Sequence, residues 1–135
     1  MRRVALGIAA AVVIAAGLGV HAFAPVSFVS DAVGDVLYAV LIYLLAAIVL
    51  RRPAWIPALA WCIGVELFQL TGVPARWGSP WTLVFGSGFA WTDLVFYALG
   101  IALAAGVDAA WLRRIRRTAR SGSVGEVDRA RRSDR

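Results

Sequence analysis

The chain has no lysine, one cysteine (Cys62) and one histidine (His21), and all 14 of its basic residues are arginine. A single thiol excludes an internal disulfide, and one thiol with one imidazole leaves too few ligands for a zinc finger or an iron–sulfur cluster. No metal and no cofactor is expected. Also missing are a Gly-x-Ser-x-Gly elbow, a P-loop and a His/Glu zinc pattern, so no catalytic signature of the soluble kind marks the chain. There is no internal repeat such as builds inverted-repeat transporters. Charge is scarce too: 16% of the 135 residues are charged, against about a quarter in an ordinary soluble domain.

Apolar side chain is what the sequence has in abundance, at 61% of residues. A chain of this length forms one domain at most, and a water-soluble one could not bury so much without large exposed patches. The bilayer is the solvent that fits. Uninterrupted apolar stretches predict an all-α polytopic membrane protein, a four-transmembrane-helix bundle with spans at 4–24, 35–50, 55–70 and 92–111. The first span is about 30 Å of helix, the thickness of a hydrocarbon core; the second and third are shorter. Residues 112–135 form an Arg-rich tail with interspersed Ser and Gly, expected to be disordered.

Arginine near a span end stays on the cytoplasmic side. Arg2 and Arg3 precede the first span, Arg51 and Arg52 fill the turn between the second and third, and nine arginines follow the fourth. Of the opposite loops, 25–34 has no arginine and 71–90 has only Arg76. Both termini are therefore expected in the cytoplasm, as an even number of spans requires. The competing reading of the first segment is a signal peptide cleaved after Ala22-Phe23-Ala24, opposed by the length of its apolar run and by Pro25 directly after the cut. Trp77, Trp81 and Trp91 on the outer side, with Trp55 and Trp111 on the inner, suit an aromatic belt; Trp61 falls inside the third span, against a neighbouring helix or lipid.

Counting about 1.5 Å per residue from the arginine anchors, Asp35, Glu66, Asp93 and His21 all fall in the outer third of the bilayer or at its outer interface. Asp35 and Tyr38, Glu66 and Gln69, and Asp93 and Tyr97 are each three or four residues apart, so each pair shares a helix face. Arg76 is the one cation on that side. These seven residues outline a polar outer-leaflet pocket built by three helices and closed by the Gly/Trp/Pro-rich loop 71–90. Each has a plainer account as well. Asp35 and Asp93 at the starts of their predicted helices could simply cap them, and Tyr38, Tyr97 and His21 could be interfacial residues. Glu66 resists that account: it lies in the C-terminal half of its span, where the helix dipole disfavours negative charge, so it should face the bundle interior and be paired, protonated or functional. Gln69 could be no more than its partner, and Cys62, one turn earlier, is most simply interior packing. Arg113, Arg114, Arg116 and Arg117, just inside the fourth span, read as an anionic-lipid anchor. Nucleic-acid binding is not expected, because the tail lacks interleaved aromatics and a folded reader module.

The succession Gly34-Asp35-x-x-Tyr38, then Glu66-x-x-Gln69-Leu70 followed by Pro74, then Trp91-x-Asp93-Leu94-x-x-Tyr97-x-x-Gly100 resembles a family of small bacterial multi-span proteins known as domain of unknown function 2809. The likeness covers about residues 31–106. More distantly, the order of an acid with Tyr, then Glu-x-x-Gln, then Asp before a Gly-containing helix is similar to VanZ-like membrane proteins, a group associated with glycopeptide resistance and hence with the cell envelope; Arg76 would stand for the arginine that follows Glu-x-x-Gln there. The resemblance implies that Asp35, Tyr38, Glu66, Gln69, Asp93 and Tyr97 form the characteristic set, in a protein of the bacterial cytoplasmic membrane.

The expectation is thus a protein that binds a polar or charged envelope lipid or its headgroup at the outer leaflet. A non-catalytic accessory or scaffold protein is the alternative, and a small proton-coupled transporter titrating Glu66 ranks last. The topology has a direct check. A reporter active only outside the cytoplasm should be active when fused after Trp77 and inactive after Trp111; the reverse pattern would overturn cytoplasmic termini.

Overall fold

The computed structural model of the protein describes residues 2–50, 53–86 and 88–133, with side chains as far as residue 117. All regular structure among these residues is helical: α1 (Arg2–Phe23), α2 (Phe28–Val49), α3 (Trp55–Gln69), α4 (Val73–Trp77), α5 (Trp81–Phe85) and α6 (Trp91–Ser133). The chain divides into two compact units, Met1–Ala105 and Gly106–Arg135, the second containing the distal part of α6. The Arg51–Arg52 turn expected to anchor the inner face lies outside the described residues, as do the side chains beyond Arg117.

Three helices are long and apolar enough to cross a membrane: Arg2–Phe23, Phe28–Val49 and Trp91–Arg117. Helix α3 is apolar but only 15 residues long, about 22 Å. Large apolar side chains point outward along the bundle, among them Ile8 and Val12 on α1, Leu67 on α3 and Leu103 on α6. Such a surface suits hydrocarbon rather than water.

Two boundaries differ from the sequence expectation. Helix α2 starts at Phe28, not near Asp35. Pro25 disfavours helix at the residue before it, Ala24, and α1 ends at Phe23. Ser27 then takes an extended conformation (φ −158°, ψ 159°) and caps the next helix. Its Oγ accepts from the Ser30 N–H at 3.2 Å while the Ser27 N–H donates to Ser30 Oγ at 2.9 Å, a reciprocal pair that satisfies two free amides. Asp35 therefore sits two turns inside α2, and helix capping no longer accounts for it. The second difference is the Arg-rich segment from Leu112, expected to be irregular, which continues α6 as far as Ser133. Arginine and alanine are good helix formers, and no proline interrupts the run.

The core is built from stripes at four-residue spacing in which alanines alternate with larger side chains. Ala39, Tyr43 and Ala47 form the buried stripe of α2, Ala54, Ala58 and Cys62 that of α3, and Tyr97 and Ile101 that of α6, with Leu6 and Ala10 added by α1. Without a hydrophobic driving force between helices in lipid, close backbone approach is what holds such stripes together. Gly100 gives the tightest case: a Cβ there would lie 2.7 Å from the Val36 carbonyl oxygen and 2.9 Å from Ala39 Cβ. Extending each stripe by one turn leads to a carboxyl group. Asp35 precedes Ala39, Glu66 follows Cys62 and Asp93 precedes Tyr97, so the packing that seats the helices also brings their acids to one end.

Gly100→Ala is expected to destabilise the detergent-solubilised protein by about 1–3 kcal/mol through overpacking, read as a lower Tm. Gly64→Ala, which meets open space on α3, should leave Tm unchanged or raise it through better helix propensity. Equal responses would argue against the α2–α6 contact.

Candidate functional site

Glu66 is completely buried. The Tyr97 O–H donates to its Oε1 at 3.0 Å and Gln69 Nε2 to the same oxygen at 3.3 Å, while the Ala90 N–H reaches Oε2 at 3.4 Å. The donors come from α6, from α3 itself and from the residue that leads into α6. A carboxyl near a helix C-terminus, unfavoured by its own dipole, is thereby held by groups gathered at the start of another helix.

Gln69 spends its amide nitrogen twice, on Glu66 and on the Phe85 carbonyl oxygen at 2.7 Å. The second bond requires Gly86. Its φ of +70° belongs to the left-handed region, and a Cβ there would collide with Gln69 Nε2. The segment carrying Phe85 is held by aromatic packing: Phe68 meets Trp77 at 5.6 Å and Phe85 at 5.7 Å between ring centroids, and Trp81 stacks on Phe85 at 6.4 Å. Residues 73–85 are thus folded onto the end of α3 as two single-turn helices.

A cavity of about 800 Å³ opens between the end of α1, the start of α2, the end of α3, the α5 segment and the start of α6. Asp31, Asp35 and Asp93 all line it. Asp93 lies in the first turn of α6, as the sequence predicts, and accepts from Thr92 Oγ1 at 3.2 Å. Tyr38 also lines the cavity; its hydroxyl accepts from Trp61 Nε1 at 2.9 Å, and its ring lies 5.9 Å from that of Tyr97. Gln69 forms part of the wall, 6% exposed, and its Oε1 is buried with no hydrogen-bond partner. Among the described residues no arginine lines the cavity, and no group of three or more His, Cys, Asp or Glu is arranged to hold a metal ion.

Of the seven residues singled out from the sequence, the structure brings six together. Asp35, Tyr38, Gln69, Asp93 and Tyr97 line the cavity, and Glu66 sits behind Gln69 and Tyr97, holding both. Arg76 is not among them: it is exposed on α4, away from the cavity wall. Tyr97, at 5% exposure, is a core residue and not an interfacial aromatic, and its hydroxyl serves Glu66 rather than Asp93, its neighbour on the same helix face. His21 borders the cavity from the last turn of α1, and Cys62 is fully buried as a free thiol. Trp61, expected against a neighbouring helix or lipid, meets Tyr38 of α2; sequence reasoning missed Asp31, the role of Gly86 and the Ala90 N–H. Asp31 could have been found from Ser27 and Ser30, since a capped helix start places it in the first turn; the Ala90 contact had no local signal.

By length and composition three of the helices are consistent with a multi-pass helical membrane protein, and the candidate site is a cavity lined by acidic residues. Residues 25–101 match the family described as Protein of unknown function (DUF2809), more than half of the 135-residue chain, and the chain belongs to that family. No curated protein and no solved structure matches it. The matched stretch holds Asp31, Asp35, Glu66 and Asp93, while the α1 wall of the cavity lies outside it.

Glu66→Gln is expected to lower stability by about 1–3 kcal/mol, because the new amide N–H₂ faces a donor where an acceptor is needed. Tyr97→Phe should cost less, about 0.5–1.5 kcal/mol, the net worth of one hydrogen bond. Thermal unfolding in detergent checks both; a neutral Glu66→Gln would dismiss the network as a stabilising element.

Proposed function

We propose that the chain is a four-span protein of the bacterial cytoplasmic membrane, with both termini inside, that binds the polar head of an envelope lipid in the cavity on the outer side. The observation that carries this reading is the gathering of Asp31, Asp35 and Asp93 with Tyr38 and Gln69 in the wall of one cavity of about 800 Å³. Pockets of several hundred cubic ångströms with a few convergent polar groups are the usual form of a small-ligand site. Helix α3, extended by the aromatic α4–α5 hairpin, supplies the fourth crossing. Exposed Arg113, Arg114, Arg116 and Arg117 on α6 would meet anionic headgroups on the inner side, and the resemblance to VanZ-like proteins favours an envelope role.

A scaffold reading draws support from Glu66 alone, whose carboxyl is fully engaged by three donors inside the bundle. In the binding reading, Glu66 positions Gln69 and Tyr97, and the ligand meets Asp35 and Asp93. Purified protein stripped of lipid should therefore gain several degrees in Tm on addition of a total polar lipid extract of its host membrane, by mass action of a ligand that binds only the folded state. Asp35→Asn and Asp93→Asn should fold and lose that gain. If both variants respond like the wild type, the cavity is not the site and the scaffold reading stands.

A further inference from the structure

Resting on that reading, we infer that the cavity also receives an acyl chain of the bound lipid, between α1 and α2, and not the polar head alone. Depth is the first observation. Val13 lies ten residues before the end of α1 at Phe23, and Leu41 thirteen after the start of α2 at Phe28. Both line the cavity, as do Ala24 and Phe28 at the turn between the helices, so it runs about 15–20 Å along the helix axes. The polar layer of one leaflet is only about 5–8 Å deep, which puts the lower half of the cavity at the level of hydrocarbon. Its lining changes in step. His21, Asp31 and Asp93 stand in the end turns of their helices and Asp35 one turn further in, whereas Val13, Ile14, Leu37 and Leu41 form the deeper wall. The Tyr38 hydroxyl at that depth is engaged by Trp61.

Two further observations bear on what fills the deeper part. Gly17 on α1 and Gly34 on α2 each stand six residues from the helix end at the joining turn, hence at one depth, about 9 Å in. Both line the cavity, and a Cβ at either would meet nothing within 4 Å. Unlike Gly100, they leave space that no packing among the described residues uses. Nor is the wall closed over by protein: Ile14, Leu18, Leu83 and Val84 line the cavity and remain 43–54% exposed. Water is a poor occupant of an apolar space that offers it few hydrogen bonds, and a void forfeits dispersion contacts. Hydrocarbon entering from the bilayer meets neither objection. A chain lying there carries its own head to the acidic end, while a head without a chain leaves the deeper wall uncovered.

The test uses the full chain in detergent and two probes: the total polar lipid extract of its host membrane, and the water-soluble heads released from that extract by mild alkaline deacylation. Native mass spectrometry reads what is retained, and thermal unfolding reads Tm. The intact extract should leave a lipid-mass adduct and raise Tm; the heads at equal molar concentration should do neither. Gly17→Leu, which puts a side chain into the space, should lower lipid retention at least about tenfold. Gly64→Leu, equally free of contact but on α3 and outside the cavity wall, should retain lipid like the wild type. Without lipid, Gly17→Leu should unfold no lower than the wild type, because leucine is the better helix former. Should it unfold lower, Gly34→Leu fills the same level from α2 and is read in its place. Heads that raise Tm as much as the intact extract overturn the chain and leave the headgroup reading standing. Full retention by the filled variant, with loss in Asp35→Asn and Asp93→Asn, does the same. Loss in the filled variant with the aspartate variants unchanged supports the chain and overturns the acidic contact to the head. If neither probe is retained or raises Tm, or if every variant retains lipid like the wild type, both fall. The comparison of intact and deacylated extract uses the wild-type protein and does not depend on how any variant folds.

Discussion

The structure turns on a buried carboxyl group that could not stay where it is without donors from elsewhere in the chain. Glu66 lies in the last turn of α3, where the helix offers carbonyl oxygens rather than amides, and it is shut off from solvent and lipid alike. An unpaired acid in such a place costs several kcal/mol. Three donors remove the penalty: the Tyr97 hydroxyl, the Gln69 amide and the Ala90 backbone N–H. Two of the three lie at the start of α6. The acid therefore fixes how the end of α3 meets the beginning of α6, and the segment between them must return the chain to that point.

That return explains the composition of residues 71–90. Gly86 gives the Gln69 amide access to the Phe85 carbonyl, and Phe68, Trp77, Trp81 and Phe85 pack the two short helices against the end of α3. Gln69, a residue of the cavity wall, thus links the carboxyl behind it to the loop beside it. A structural network and a candidate binding surface share one side chain. Rigidity in the first supplies preorganisation to the second.

Division of labour among the acids follows from their surroundings. Glu66 is engaged and hidden, whereas Asp35 and Asp93 line the cavity. They arrive there because each stands one turn from a stripe of core residues, Ala39, Tyr43 and Ala47 on α2 and Tyr97 and Ile101 on α6, and the close approach at Gly100 sets the distance between the two helices. A single methyl group at that contact would move the pair of carboxyls as well as the helices.

Helical character, three of the apolar spans and the group of polar residues that meet around the cavity were readable from the sequence, because they depend on local quantities: the length of an apolar run, the three- and four-residue spacing that puts side chains on one face, and the cost of an acid far from a helix N-terminus. The start of α2 was less legible, since its cap is made by two serines in place of the usual acid or amide partner. Assignment of roles to the polar residues needed the tertiary structure. Spacing pairs Tyr97 with Asp93 and leaves Arg76 free to join any acid; rotation of the helices about their axes instead turns Tyr97 toward Glu66 and leaves Arg76 outside the cavity. Contacts between residues 24 and 31 positions apart, Ala90 to Glu66 and Tyr97 to Glu66, are set by how three helices and a loop pack together, and no local pattern in the chain encodes them.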